Sequence, residues 1–266
     1  MNFKKVATIS IALNATLFLL GGYFVYLNGG SSFIKDKMSF FTSDDREVET
    51  PSEPKVKGTE VSSSTDGNND KKRSFTPLHK VRESVFNSAV SVETGVVFLG
   101  DSLTDYNEWG EAFPHVKTYN RGISGDTTID VIDRLNQVIA LKPSKVFLMV
   151  GINDLRAKTP KEEVVKNYNN IVKQLKTKLP ETKIFIESIL PIHVSKPSNL
   201  NNEDVNWINR ELEKIAKENE YTFINLHPLF TDKDGQLKKE WTVDGVHING
   251  EGYKVWENEI KNHVYR

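Results

Sequence analysis

GVVFLGDSLT, residues 95–104, sets a short unbroken apolar run directly against Gly-Asp-Ser. Val96–Leu99 shows neither the alternation of a half-buried strand nor the length of a helix. Such a run predicts a strand buried on both faces, as in a parallel sheet. Moving outward, Val146–Val150, Ile184–Ile186 and Phe223–Ile224 read the same way, with a weaker strand near Val116–Tyr119. Between them lie helical patterns. Thr128–Ala140 gathers Ile129, Val131, Ile132, Leu135 and Val138 mostly on one face, and Pro160–Leu179 opens with proline in its first turn. Val205–Asn219 and Glu251–Val264 are further helices, and LHKVRESVFNSA after Pro77 is a lead-in helix. Strands alternating with helices predict an α/β fold, a parallel sheet covered on both faces. In such sheets functional residues collect in the loops at the carboxyl ends of the strands.

Ser102 stands at such an end and enters a helix, where its own N–H belongs to a terminus that stabilises an anion. On Asp101-Ser102-Leu103-Thr104 alone, a helix cap explains the serine equally well. The C-terminal end changes that balance. Asp244-Gly245-Val246-His247 puts a carboxylate three residues before an imidazole, so one turn can aim both at the same point. The carboxylate would accept from one ring nitrogen and leave the other to take the serine proton. Gly245 permits a sharp bend between them, and Asn249 is placed to cap the last helix. A lone histidine is usually structural or solvated, and the chain has six. Only His247 has a carboxylate at this spacing within a glycine-bearing turn.

A serine nucleophile also needs donors for the oxyanion. In Asn120-Arg121-Gly122-Ile123-Ser124-Gly125-Asp126, after the second strand, Gly122 offers an N–H with no Cβ to block a substrate. In Gly151-Ile152-Asn153-Asp154, after the third, Asn153 can present a side-chain amide. Singly, each has a plainer explanation in a tight turn or an Asx turn. Together they are loops after successive strands, each offering the kind of donor the chemistry needs.

GDSL at 100–103, NRGISGD at 120–126, GIND at 151–154 and DGVH at 244–247 resemble the sequence blocks of the SGNH, or GDSL-type, hydrolase superfamily. The likeness covers about residues 92–266, and NRGISGDTT with HINGEGY is similar to the branch related to platelet-activating-factor acetylhydrolase. The resemblance implies a three-layer α/β/α sandwich of flavodoxin-like type on a five-stranded parallel sheet. It implies acyl-ester hydrolysis through Ser102, His247 and Asp244, with Ser102, Gly122 and Asn153 as oxyanion donors and neither metal nor cofactor. The first 75 or so residues depart from the family core.

Lys+Arg and Asp+Glu nearly balance at 35 against 36, so no global field argues for nucleic acid as a partner. The absence of cysteine rules out disulfides, thiolate metal sites, a cysteine nucleophile and a lipobox lipid anchor. Lys4 and Lys5 precede Val6–Leu27, an uncharged stretch that would span roughly 33 Å as a helix. The expectation is an uncleaved membrane anchor within residues 1–30, cytoplasmic at its N-terminus, with a single-pass chain and an extracytoplasmic catalytic domain. The rival is a cleaved signal peptide and a secreted enzyme. Residues 31–76 read as a disordered linker, most clearly from Ser43 to Ser74, which is nearly devoid of large apolar residues. The hydrolase domain is expected over 77–266. Short acyl esters, especially O-acetyl groups on extracellular carbohydrate, are the first expectation for substrate. A lysophospholipid or platelet-activating-factor-like ester is the alternative among enzymes, and a tethered ligand-binding module the alternative outside them.

Overall fold

The computed structural model describes residues 76–88, 94–193 and 200–266. The chain divides into two units, Met1–Asn69 and Asp70–Arg266, and every described residue belongs to the second. The stretch Val6–Leu27 and the tether from Ser43 to Ser74 lie outside the described residues. Among the described residues no helix is long and apolar enough to cross a membrane.

A helix, Pro77–Ser88 (α1), precedes the first strand, Val96–Gly100 (β1). Two short helices follow, Ser102–Asp105 (α2) and Trp109–Ala112 (α3), and then Thr118–Gly122 (β2). Thr128–Asp133 (α4) and Leu135–Ile139 (α5) lead to Lys145–Met149 (β3). Ile152–Arg156 (α6) and Lys161–Lys178 (α7) lead to Lys183–Glu187 (β4), and Asn202–Glu218 (α8) to Thr222–Ile224 (β5). His227–Phe230 (α9) and Gly250–Tyr265 (α10) complete the chain. The five strands are all parallel, in the order β2-β1-β3-β4-β5.

Every residue of β1 and β3 is buried, the condition that makes an unbroken apolar run stable as a strand. β2 is different. It is an edge strand of sequence Thr-Tyr-Asn-Arg-Gly, and only its last two residues are buried. It runs from Thr118 rather than from Val116, because its register on β1 pairs Val96 with Thr118 and Gly100 with Gly122. An edge strand with one wet side carries no apolar run to mark its ends.

Alternation along the strands sorts side chains between two cores. Val97, Leu99, Val146, Leu148, Ile184 and Ile186 pack with residues of α4, α5, α7 and α8, among them Val131, Leu135, Ile171 and Leu212. Val96, Phe98, Phe147, Met149 and Phe185 pack on the other side with Trp109, Phe230, Trp256 and Ile260 from α3, α9 and α10. The result is a three-layer α/β/α sandwich. Phe98, Phe147 and Phe185 are neighbours in register and stack across β1, β3 and β4, with ring centroids 5.1 and 4.5 Å apart. Trp109 lies parallel on Phe98 at 3.8 Å.

The single helix expected over Thr128–Ala140 is interrupted. Arg134 leaves helical geometry at φ −104° and ψ 10°, dividing α4 from α5. Its guanidinium is buried and donates to the Gly100 carbonyl at 2.9 Å and to Asp126 at 2.6 Å. The break serves a long-range contact that periodicity does not report.

From β1 the chain goes outward to β2 and then crosses back to β3 on the other side of β1. That reversal opens a crevice at the carboxyl ends of β1 and β3, where ligands of open parallel sheets bind. Ser102 stands two residues beyond the end of β1 at this point.

On the α10 side of β4, Glu187 is buried and accepts a hydrogen bond from Trp256 Nε1 at 2.7 Å. Burial pushes its carboxyl up to about 8, against the lowering effect of that bond. A carboxyl raised on folding holds its proton more tightly in the native state. The stability it contributes is therefore complete below its unfolded value and lost as pH rises through about 8. Glu187→Gln keeps an acceptor for Trp256 but cannot ionise. In urea unfolding it should match the parent at about pH 5 and exceed it at about pH 9, by on the order of 2–4 kcal/mol. Equal midpoints at both pH values would contradict the assignment.

Candidate active site

Gly100 ends β1 in a place that admits no side chain, since a Cβ would lie 2.2 Å from the Met149 carbonyl oxygen. Asp101 then caps α2, its Oδ1 accepting from the Leu103 amide at 3.1 Å. The helix cap and the serine are thus neighbouring residues, which leaves Ser102 free of capping duty. Burial pushes Asp101 up to about 7; the Leu103 bond opposes this, while Asp126 and Asp154 add to the rise. The Ser102 amide, in the first turn of α2, has no acceptor among the described residues.

His247 arrives from the far end of the chain on a tight hairpin. Thr242 and Ile248 form an antiparallel bridge, and the Val243 amide and Thr242 hydroxyl both donate to the His247 carbonyl. Gly245 turns the hairpin at φ +92°, and a Cβ there would stand 2.4 Å from the His193 carbonyl oxygen. His193 in turn donates its amide to the Gly245 carbonyl at 2.8 Å, fastening the hairpin to the loop after β4. Asn249 caps α10 immediately afterwards, accepting from the Gly252 amide at 3.1 Å.

The three side chains form one continuous line. Ser102 Oγ lies 2.9 Å from His247 Nε2, and His247 Nδ1 lies 2.6 Å from Asp244 Oδ2. Asp244 Oδ1 accepts from the His247 and Val246 amides at 2.8 and 3.0 Å, so the loop's own backbone aims the carboxylate. Burial raises the Asp244 carboxyl, but the bonds from the His247 ring and from these amides outweigh it and hold it below the ordinary carboxylate range. An ionised carboxylate fixes the proton on Nδ1 and leaves the Nε2 lone pair facing the serine hydroxyl. The Asp244 side chain is 51% exposed and that of His247 19%, so this side of the site meets solvent. Tyr106, also exposed, stands beside the imidazole with ring centroids 5.2 Å apart.

The loop after β2 corrects one expectation. The Gly122 amide is already occupied, donating to Asn120 Oδ1 at 2.9 Å. Gly122 instead lets β2 touch α2, where a Cβ would stand 2.2 Å from the Asp105 nitrogen. Ile123 donates to the Gly100 carbonyl, Ser124 to Asp105 Oδ2 and Asp126 to the Ile123 carbonyl. Only the Gly125 amide in this loop has no acceptor among the described residues. Gly125 sits at φ +91° with nothing within 4 Å of its Cβ position, as suits a backbone donor open to a ligand. The sequence feature that separates the two glycines is the Ser-Gly-Asp turn, which asks for positive φ where a strand residue does not.

Asn153, in the first turn of α6 just after β3, is buried and donates one amide proton to the Asp126 carbonyl at 3.0 Å. That bond orients the amide and leaves its second proton unused. Behind the loops lies a buried carboxylate layer. Asp154 accepts from the Thr128 amide and hydroxyl at 2.9 and 2.5 Å. Asp126 is hydrogen-bonded to Arg134 at 2.6 Å through Oδ2, and His79 Nε2 lies 3.0 Å from its Oδ1. Burial pushes both carboxyls up to about 6; Arg134 and then His79 oppose this for Asp126, and the Thr128 bonds do so for Asp154. Among the described residues, no group of His, Cys, Asp or Glu side chains is arranged to hold a metal ion.

The family model described as GDSL-like lipase/acylhydrolase matches residues 98–255. Platelet-activating factor acetylhydrolase IB subunit alpha2 of Rattus norvegicus is 31% identical over 170 residues, covering 60% of this chain and 72% of that protein. A Streptococcus pneumonia structure provisionally assigned as a platelet activating factor superposes with a TM-score of 0.65 at 28% identity, covering 71% of this chain and 93% of that one. A GDSL-like lipase of Bacteroides thetaiotaomicron gives a TM-score of 0.62 at 25% identity, covering 70% and 96%.

The glycines separate by experiment. Gly122→Ala pushes a methyl into backbone and should lower the melting temperature, by an amount equivalent to about 1–3 kcal/mol. Gly125→Ala meets open space and costs only about 1 kcal/mol of backbone strain, yet should depress kcat on p-nitrophenyl acetate the more strongly of the two. Reversed effects would restore Gly122 as the donor.

Proposed function

Because the chain belongs to the GDSL-like lipase/acylhydrolase family, we propose that it hydrolyses acyl esters through a covalent acyl-enzyme on Ser102. The observation that carries this reading is the unbroken contact line from Ser102 Oγ through His247 to Asp244. His247 Nε2 takes the hydroxyl proton as Ser102 attacks the ester carbonyl. The oxyanion is held by the amides of Ser102 and Gly125 and by the Asn153 side chain, each contributing roughly 3–4 kcal/mol. The proton on His247 passes to the departing alcohol. A water deprotonated by the same nitrogen then attacks the acyl-enzyme, and collapse frees the acid and returns the proton to Ser102.

The substrates proposed are short acyl esters, O-acetyl groups on extracellular carbohydrate first. Exposed Tyr106 beside His247 offers an apolar face on which a sugar ring can stack. Near the site the sequence carries no long apolar insertion to serve as a lid or acyl tunnel. The second reading, a lipid ester with a short acyl group, is favoured by likeness to a platelet-activating factor acetylhydrolase subunit. Val6–Leu27 is proposed to hold the catalytic domain outside the plasma membrane, close to envelope esters.

Ser102→Ala should leave a folded protein with kcat on p-nitrophenyl acetate down by about 10⁶, and a fluorophosphonate should label the parent at Ser102 alone. Labelling or turnover that survives in the variant would remove Ser102 from its role. Asn153→Ala should lower kcat by roughly 10²–10³ with KM little changed, because its free proton matters once the oxyanion exists. On a panel of acetylated oligosaccharides, acetylated lipids and lysophospholipids, kcat/KM should be highest for the oligosaccharides. A preference for either lipid would select the second reading.

A further inference from the structure

Helix α1 stands before the first residue of the family match, yet it is fastened to the loop that carries Gly125 and to the residue that orients Asn153. His79, buried on its inner face, places Nε2 3.0 Å from Asp126 Oδ1. Asp126 is the residue whose carbonyl accepts from the Asn153 amide. One turn on, Arg82 reaches Asp105 Oδ1 at 2.7 Å and donates to the Gly122 carbonyl at 3.2 Å. Asp105 Oδ2 holds the Ser124 amide and hydroxyl at 3.2 and 2.7 Å, directly before Gly125. Phe86, one turn further, lies under the Arg121 and Arg82 guanidinium groups at 4.5 and 4.8 Å. Three successive turns of α1 thus grip the β2 loop at both ends.

We propose that α1 is a positioning element of the active site, in which His79 acts through Asp126 to hold the Asn153 amide on the oxyanion. The inference rests on the esterase reading above. Its physical basis is that an oxyanion donor works only when held to within fractions of an ångström, and a displacement of about 1 Å costs roughly 10²-fold in rate. The Asp126 carbonyl alone could not fix the amide if its own residue moved. Arg134 holds Asp126 from one side by a hydrogen bond to Oδ2, and the His79 ring packs against it on the other, with Nε2 3.0 Å from Oδ1. A chain cut to the family core would keep the first restraint and lose the second.

A mutant cycle on the full chain tests this, read as kcat and KM on p-nitrophenyl acetate with thermal melting alongside. His79→Ala should lower kcat about 10-fold with KM within about twofold. His79→Gln, which keeps a polar side chain of similar reach against Asp126, should recover most of the loss. In an Asn153→Ala background the same His79→Ala change should alter kcat by less than about twofold, since the amide it positions is gone. A helix that merely stabilised the fold would give equal losses in both backgrounds, and that result would sink the proposal. So would a loss confined to KM, or no rescue by glutamine. If His79→Ala does not fold, His79→Asn, too short to reach Asp126, takes its place in the cycle. Activity retained by Ser102→Ala would instead bring down the esterase reading and this inference with it.

Discussion

Asp126 and Arg134 meet at 2.6 Å with side-chain exposures of 0% and 1%. Removing both ions from water costs several kcal/mol each, offset only if their remaining donors and acceptors are well placed. Those placements shape the site. Arg134 also donates to the Gly100 carbonyl, so a single guanidinium holds the end of β1 and the loop after β2. The Asp126 carbonyl takes the Asn153 amide, adding the start of α6 at the end of β3. Three strand ends, distant in sequence, are locked by one buried pair. Asp126, though pushed up to about 6 by burial, is kept from rising further by Arg134. The pair is a constraint on geometry more than a source of stability, because an apolar replacement of similar shape would often stabilise as well.

How far the sequence discloses this differs by residue, and the reasons are physical. β1 and β3 are legible because strands buried on both faces must be apolar throughout. The edge strand β2 is not: its apolar residues suggest a start at Val116, two residues before the observed Thr118. The hairpin of Asp244 and His247 is legible because it is local: the carboxylate accepts from the ring and from two amides within three residues of it. Spacing alone encodes such a contact. Asn249 as the cap of α10 is local in the same way.

Contacts that span the chain leave no such trace. The interruption of α4 and α5 at Arg134 answers to Gly100 and Asp126 rather than to the helix's own pattern. Gly122 and Gly125 look alike in NRGISGD, yet the first is spared a side chain by Asp105, a residue of another element, and the second by its own φ of +91°. Only the latter cause is encoded nearby, in the Ser-Gly-Asp turn, and a reading of turn conformation would have found it. His79 gives no sign at all. It lies in a helix whose partner loop is more than forty residues away, and nothing in LHKVRESVF marks one polar residue as buried.

The two halves of the site are therefore held by different means. On the oxyanion side, Asn153 and the carboxylates behind it are almost wholly buried, tied by long-range bonds. On the base side, Asp244 is half exposed and held by its own turn, with a bond from His193 as the tie outward. The division suits the proposed chemistry. Charge development on the carbonyl oxygen is best met by donors that need not reorganise, which favours a dry, over-determined surround. The imidazole must accept a proton, surrender it to a departing alcohol and then meet an incoming water, so it has to face solvent. Burying His247 as deeply as Asn153 would shut out the water of the second step. Exposing Asn153 as much as Asp244 would let water compete for its free amide proton. Each side is as wet as its step of the reaction allows.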